Sequence, residues 1–215
     1  MSIEFLRTYL PLYFQGAGYT VALSLIAIVI GVLLGSLLAI MKMSDNRFIY
    51  HLSNAYIQVV RGTPLLVQLF IIYYGLFMII ELPDFVSGVI TVALNSAAYI
   101  AEIIRAGIQA VDKGQMEAAR SIGMSHNLAM KKIIYPQALK NILPALGNEF
   151  ITLMKESAII SVIGMRELMF NAQIVYGATY KPFLPYIIAA VFYFVLTTIA
   201  STLLGIFERR LKQSD

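Results

Sequence analysis

The stretch EAARSIGMSHNLAMKKIIYP, Glu117 to Pro136, is the one polar interruption of this chain that reads as constructed rather than merely exposed. Ala118 and Ala119 are strong helix formers, and Glu117 early in such a helix favours the positive end of its dipole. Gly123 permits the left-handed residue that stops the helix, and either Ser125 or Asn127 can cap the one that follows. Pro136 then bends or restarts the helix that leads back into apolar sequence. The segment is expected as a short helix with small residues on one side, lying across one face of the molecule, a shape another protein can hold. On local chemistry alone an ordinary basic loop reads equally well.

On either side of it the chain is apolar. Of its 215 residues 59% are hydrophobic and 13% charged, and the mean hydropathy is +0.77. That composition belongs to a polytopic membrane protein, and one domain suffices at this length. The absence of Cys excludes disulfides and thiolate chemistry. The net charge of +4 is not a nucleic-acid footprint, so no nucleic-acid partner is expected. The first 18 residues carry Glu4 and Arg7 and lack the basic start and short apolar core of a secretory signal. Their aromatic residues predict a segment lying in the membrane interface.

Five membrane spans are predicted, over 20–41, 65–80, 85–104, 143–164 and 184–207. In the first, Ala27, Gly31, Gly35 and Ala39 recur every four residues and form a strip where another helix can approach closely. Residues 42–62 are polar and basic, with a turn at Asp45-Asn46. Thr63 is expected to cap the second span, with Pro64 at its first helical position. Met165 to Lys181 reads as a loop. Five spans put the termini on opposite sides. With the N-terminus outside, the inner regions hold Lys42, Arg47, Arg61, Arg105, Lys113, Arg120, Lys131, Lys132, Lys140, Arg209, Arg210 and Lys212, against Arg7, Arg166 and Lys181 outside. The positive-inside rule therefore places the C-terminus and residues 117–136 in the cytoplasm.

The spacing Glu117-Ala118-Ala119, three residues, Gly123, nine residues, Ile133, Tyr135-Pro136 resembles the EAA loop of ATP-binding cassette (ABC) importer permeases, departing at Tyr135, where the family usually has Leu. Arg61-Gly-Thr-Pro-Leu-Leu-Val-Gln-Leu-Phe-Ile-Ile-Tyr-Tyr-Gly75 resembles the second-helix signature of the polar amino-acid permeases in that superfamily. The fourth span, with Asn148-Glu149, Lys155-Glu156-Ser157 and Ser161-Val-Ile-Gly164, is similar to the same family, and Glu167-Leu168 with Ala172-Gln173 looks like its loop before the last span. The resemblance covers roughly residues 18–210. It implies an all-α membrane protein of five transmembrane helices with a cytoplasmic coupling helix, like type I ABC importers, in the bacterial plasma membrane. It implies that Glu117, Ala118, Ala119 and Gly123 sit in a cleft of an ATPase subunit, present in two copies, which uses ATP and Mg. It also implies a second permease subunit, identical or closely related with a homodimer favoured, and an extracytoplasmic amino-acid-binding protein. No Gly-x-x-x-x-Gly-Lys-[Ser/Thr] occurs here, so ATP hydrolysis falls to a separate chain, and this one needs no cofactor.

Ionisable groups inside a span need an account. Asn95, Tyr99 and Glu102 share one face of the third helix. On the fourth, Asn148, Thr152 and Lys155 form a strip beside Glu149 and Glu156, and Ser157 and Ser161 widen the polar arc. One reading pairs Lys155 with an acid of the third helix and gives these groups a purely structural role. The other makes Asn95, Tyr99, Glu102, Lys155, Glu156, Ser157 and Ser161 the lining of a water-accessible cavity between two permease subunits. Glu102, Glu149 and Glu156 outnumber Lys155, which suits a cationic amino acid such as arginine, lysine or histidine. Should Lys155 point into the cavity, a zwitterion or an anion fits better. The rival function is an ion-coupled secondary amino-acid transporter with Glu102 as its coupled acid. A structural membrane protein and a membrane enzyme follow, the last without a plausible catalytic set. His51 and His126 lack a second ligand at metal spacing and read as surface or packing residues.

Overall fold

The computed structural model describes residues 3–212, and the regular structure among them is helical throughout. Helix α1, Ile3–Lys42, is unbroken and about 60 Å long at 1.5 Å per residue. Residues 3–18, expected as a separate interfacial segment, are its first turns. Their aromatic side chains have protein partners: Tyr13 is fully buried, its hydroxyl donating to the Pro185 carbonyl at 3.0 Å. Phe5 and Tyr13 also pack with Leu168, Val175 and Ala189. The small-residue strip meets α4, Asp84–Gln109. A Cβ on Gly35 would lie 2.8 Å from the Ala97 carbonyl oxygen, and one on Gly31 3.2 Å from Ser96 Oγ.

Residues 42–62, expected as a polar connection, are mostly α2, Arg47–Gly62, capped by Asn46 Oδ1 accepting the Phe48 N–H at 3.0 Å. Ser53 and Ile57 bury one face of α2 against α1 and α4, and Phe48, Leu52 and Val59 are exposed. It meets α3, Leu65–Phe77, at a bend of 108°. Thr63 does not cap α3, because its hydroxyl donates backward to the Val59 carbonyl at 2.8 Å.

Beyond α4 come α5 (Lys113–Ser121), α6 (His126–Ala129), a π turn (Met130–Ile134) and α7 (Tyr135–Glu156). A 3-10 segment, Ser157–Ile163, continues α7 and ends at Gly164, whose φ of 93° only glycine adopts readily. The region read as a loop contains α8, Leu168–Thr179, with Leu168, Ala172 and Val175 buried at helical spacing. Helix α9, Leu184–Lys212, closes the chain.

Three of these helices are long and apolar enough to cross a membrane, and there are five crossings if each bent pair counts as one. The C-terminal ends of α1, α4 and α9 share one end of the bundle with α5 and the start of α7. Asp84, Gly164 and Arg166 cluster toward the other end. The central core is Leu23, Ala27, Leu69, Val92, Leu153 and Ile160.

Overpacking a close contact costs about 1–3 kcal/mol. Gly35→Leu should therefore lower the midpoint of thermal unfolding in detergent by several degrees. Gly18→Ala, whose added Cβ meets nothing within 4 Å on the same helix, should not lower it, since Ala is the better helix former.

Candidate functional site

Two interruptions of the helices build the site. At the first, Pro64 has no N–H and the carbonyls before it lack helical donors. Gln68 replaces them: its Nε2 donates to the Val60 carbonyl at 2.7 Å and to the Thr63 carbonyl at 3.0 Å. Asn95 Nδ2 holds that amide in place by donating to Gln68 Oε1 at 2.9 Å. Just before the second, at Gly164, the change from α7 to the 3-10 segment brings residues three apart into line. Ala158 and Ser161 form one row, and Ile159 and Val162 another; all four face the same cavity.

That cavity, about 510 Å³, is also lined by Leu65, Lys155, Glu156, Met169 and Gln173. Lys155 and Glu156 are exposed, and with the described residues they form no hydrogen bond and no ion pair within 4 Å. One cation, one anion, a hydroxyl and an amide on apolar walls can hold a zwitterion, its carboxylate toward Lys155 and its ammonium toward Glu156.

Of the seven residues expected to line a polar cavity, Lys155, Glu156 and Ser161 come together here. The other four lie elsewhere. Asn95 is occupied by Gln68. Ser157 is buried, with its hydroxyl on the Met154 carbonyl at 2.9 Å. Tyr99 lies under the Arg61 guanidinium, 5.4 Å from its ring centre. Glu102 is held by Lys42 at 2.6 Å, Arg105 at 2.8 Å and Arg61 at 3.7 Å. The cation that pairs with the third-span acid is thus Lys42 rather than Lys155. Glu149 accepts from Ser96 Oγ at 3.0 Å. Of the three acids counted, only Glu156 lines this cavity, beside Lys155. Gln173 belongs to the site but not to the expected set; its signal was helical spacing from Met169, hidden while the region read as a loop.

The stretch 117–136 forms α5, α6, the π turn and the start of α7. Asp112 Oδ1 accepts the Gly114 N–H at 2.7 Å and starts α5. Gly123, at φ 88°, ends it, with the Met124 N–H on the Ala119 carbonyl at 3.1 Å. Ser125, of the two possible caps, starts α6. Ala119 is buried, Glu117 and Ala118 are exposed, and Ile122 stands out beside them at 79% exposure.

Comparison with known proteins places the chain in a family. Residues 31–213 match the family model of the binding-protein-dependent transport system inner membrane component. The putative glutamine transport system permease protein GlnP of Rickettsia typhi is 47% identical over 199 residues, 92% of this chain and 91% of that protein. The arginine transport system permease protein ArtQ of Bacillus subtilis is 42% identical over 219 residues, covering all of both chains. A solved structure, described as an amino acid ABC transporter with histidines, superposes with a TM-score of 0.92 at 55% identity, over 98% of this chain and 100% of that one.

Glu102→Gln leaves Lys42, Arg61 and Arg105 facing one another without a counter-charge. Removing one partner of a mostly buried pair costs on the order of 2 kcal/mol or more. The variant should unfold at lower temperature, and adding Lys42→Met should recover part of the loss.

Proposed function

The chain belongs to the family of binding-protein-dependent transport system inner membrane components, as a permease of an amino-acid ABC importer, and we propose that it passes a polar amino acid, held as a zwitterion, through the cavity at Lys155 and Glu156. The observation that carries this reading is the charge pair on that cavity's wall: one ammonium and one carboxylate, neither hydrogen-bonded nor ion-paired within 4 Å among the described residues. Relatives named for glutamine and for arginine share the α-ammonium and α-carboxylate of their ligands, and the cavity offers a partner for each. With Glu102 neutralised by three cations, it offers no excess negative charge to favour a cationic substrate over a neutral polar one.

The basic end of the bundle faces the cytoplasm and the N-terminus faces out, in accord with the positive-inside rule. There Glu117, Ala118 and the protruding Ile122 of the α5 region seat in a cleft of a separate ATPase subunit, which uses ATP and Mg. Two such subunits lie under two permease copies, a homodimer, and a binding protein delivers the amino acid at the opposite end. Nucleotide-driven movement of α5 passes through the π turn to α7, which ends at the cavity. Transport needs contacts that differ between the outward-open and inward-open states, because a site equally good in both shifts nothing.

Lys155→Met and Glu156→Gln should each lower amino-acid uptake by the complex in proteoliposomes roughly tenfold or more, by loss of a charge-assisted contact. Uptake at the wild-type rate by either would overturn the site. Gly123→Leu places a branched side chain at φ 88°, where it is strained, and Glu117→Arg reverses a charge on the coupling helix. Both should insert normally but lose substrate-stimulated ATP hydrolysis; retained stimulation would remove the proposed coupling contact.

A further inference from the structure

We propose that Gln173 is a specificity-determining residue that reads the end of the substrate's side chain and favours side chains ending in N–H donors. The inference rests on the reading of Lys155 and Glu156 as the site for the amino-acid head group.

Helix α8 is fixed on one side. Glu167, fully buried, accepts the Phe170 N–H at 2.8 Å and the Tyr193 hydroxyl of α9 at 2.7 Å. Asn171 Nδ2 donates to the Leu12 carbonyl of α1 at 2.8 Å. Gly16 of α1 lies so close that a Cβ there would come 2.8 Å from Leu168 Cα. On the opposite side Met169 and Gln173, one helical turn apart, face the cavity. Asn171 is paired within the protein, whereas the Gln173 amide has no hydrogen bond to any described residue. It is half-buried and points into the space shared with Lys155 and Glu156.

An amide presented on a rigid helix without a protein partner takes one from water or from a ligand. A site that displaces its water must return the hydrogen bonds or lose affinity, and this makes such a group selective. An amide both donates and accepts. Glutamine's carboxamide answers both functions, and a guanidinium donates to its oxygen. A carboxylate side chain can use only its N–H, and an apolar one strips it of water with no return. The substrate class this selects is amino acids with an amide or guanidinium terminus.

The test is uptake of glutamine and arginine by the reconstituted complex, always with the same binding protein, so that its own selectivity cancels from the ratio. Gln173→Glu makes the group an acceptor with charge and should raise the arginine-to-glutamine ratio roughly tenfold. Gln173→Lys should shift the ratio the other way. Lys155→Met should lower uptake of both amino acids and leave the ratio unchanged. If Lys155→Met lowers uptake while neither Gln173 variant moves the ratio, or both move it in the same direction, the role of Gln173 is overturned and the head-group site stands. If Lys155→Met leaves uptake intact, the head-group site itself fails.

Discussion

Within hydrocarbon every backbone N–H and C=O must be satisfied by the protein, so a helix there can stop only where another group takes over the bonds it releases. This chain interrupts two of its crossings, and both interruptions are provided for. Gln68 reaches back over Pro64 to the carbonyls of Val60 and Thr63, with Asn95 steadying it from α4. After Gly164, the buried Glu167 caps the start of α8 and ties it to α9. Without these side chains the bends would leave bare backbone in the bundle. With them, short pieces of helix can approach one space from different directions.

That space is the cavity. Leu65 comes from just beyond the first break, residues 155–162 from the tightening of α7 into 3-10 geometry, and Met169 and Gln173 from just beyond the second. The uninterrupted helices form a frame around it. Around Gly31 and Gly35 the α1–α4 contact is close packing that leaves no room for a larger side chain. The ion cluster around Glu102 joins α1, α2 and α4 at the basic end. Among the described residues, polar side chains therefore include those that hold the frame, those that close the breaks, and Lys155, Glu156 and Gln173 on the cavity wall.

Much of this was legible where the determining chemistry is local. Uncharged runs announce spans, the four-residue period of Ala27, Gly31, Gly35 and Ala39 announces a contact face, and Gly123 with Ser125 announces a stop and a start. The roles of Glu102 and Asn95 were not legible. Their partners, Lys42 and Gln68, lie 60 and 27 residues away in sequence, and no local pattern encodes which distant group arrives. Counting acids against bases along the spans thus did not reveal that Glu102 is taken up by Lys42, Arg61 and Arg105. Helix α8 was hidden for another reason: Gly164 before it and Pro182 after it punctuate the sequence as a loop does. The apolar period of Leu168, Ala172 and Val175 was the overriding signal. The 3-10 segment has no sequence signature of its own.

The π turn at Met130–Ile134 sits between the coupling helices and α7. A π turn holds one residue more than the α-helical turn it replaces. Were the same residues to run as unbroken α-helix, the surplus residue would no longer be absorbed in one turn, and everything past it would be turned by about 100° about the helix axis. Lys155 and Glu156 would then swing off the cavity wall even though neither they nor their neighbours had changed. The phase between α5 and the cavity wall at Lys155 and Glu156 thus depends on how one turn takes up a single surplus residue.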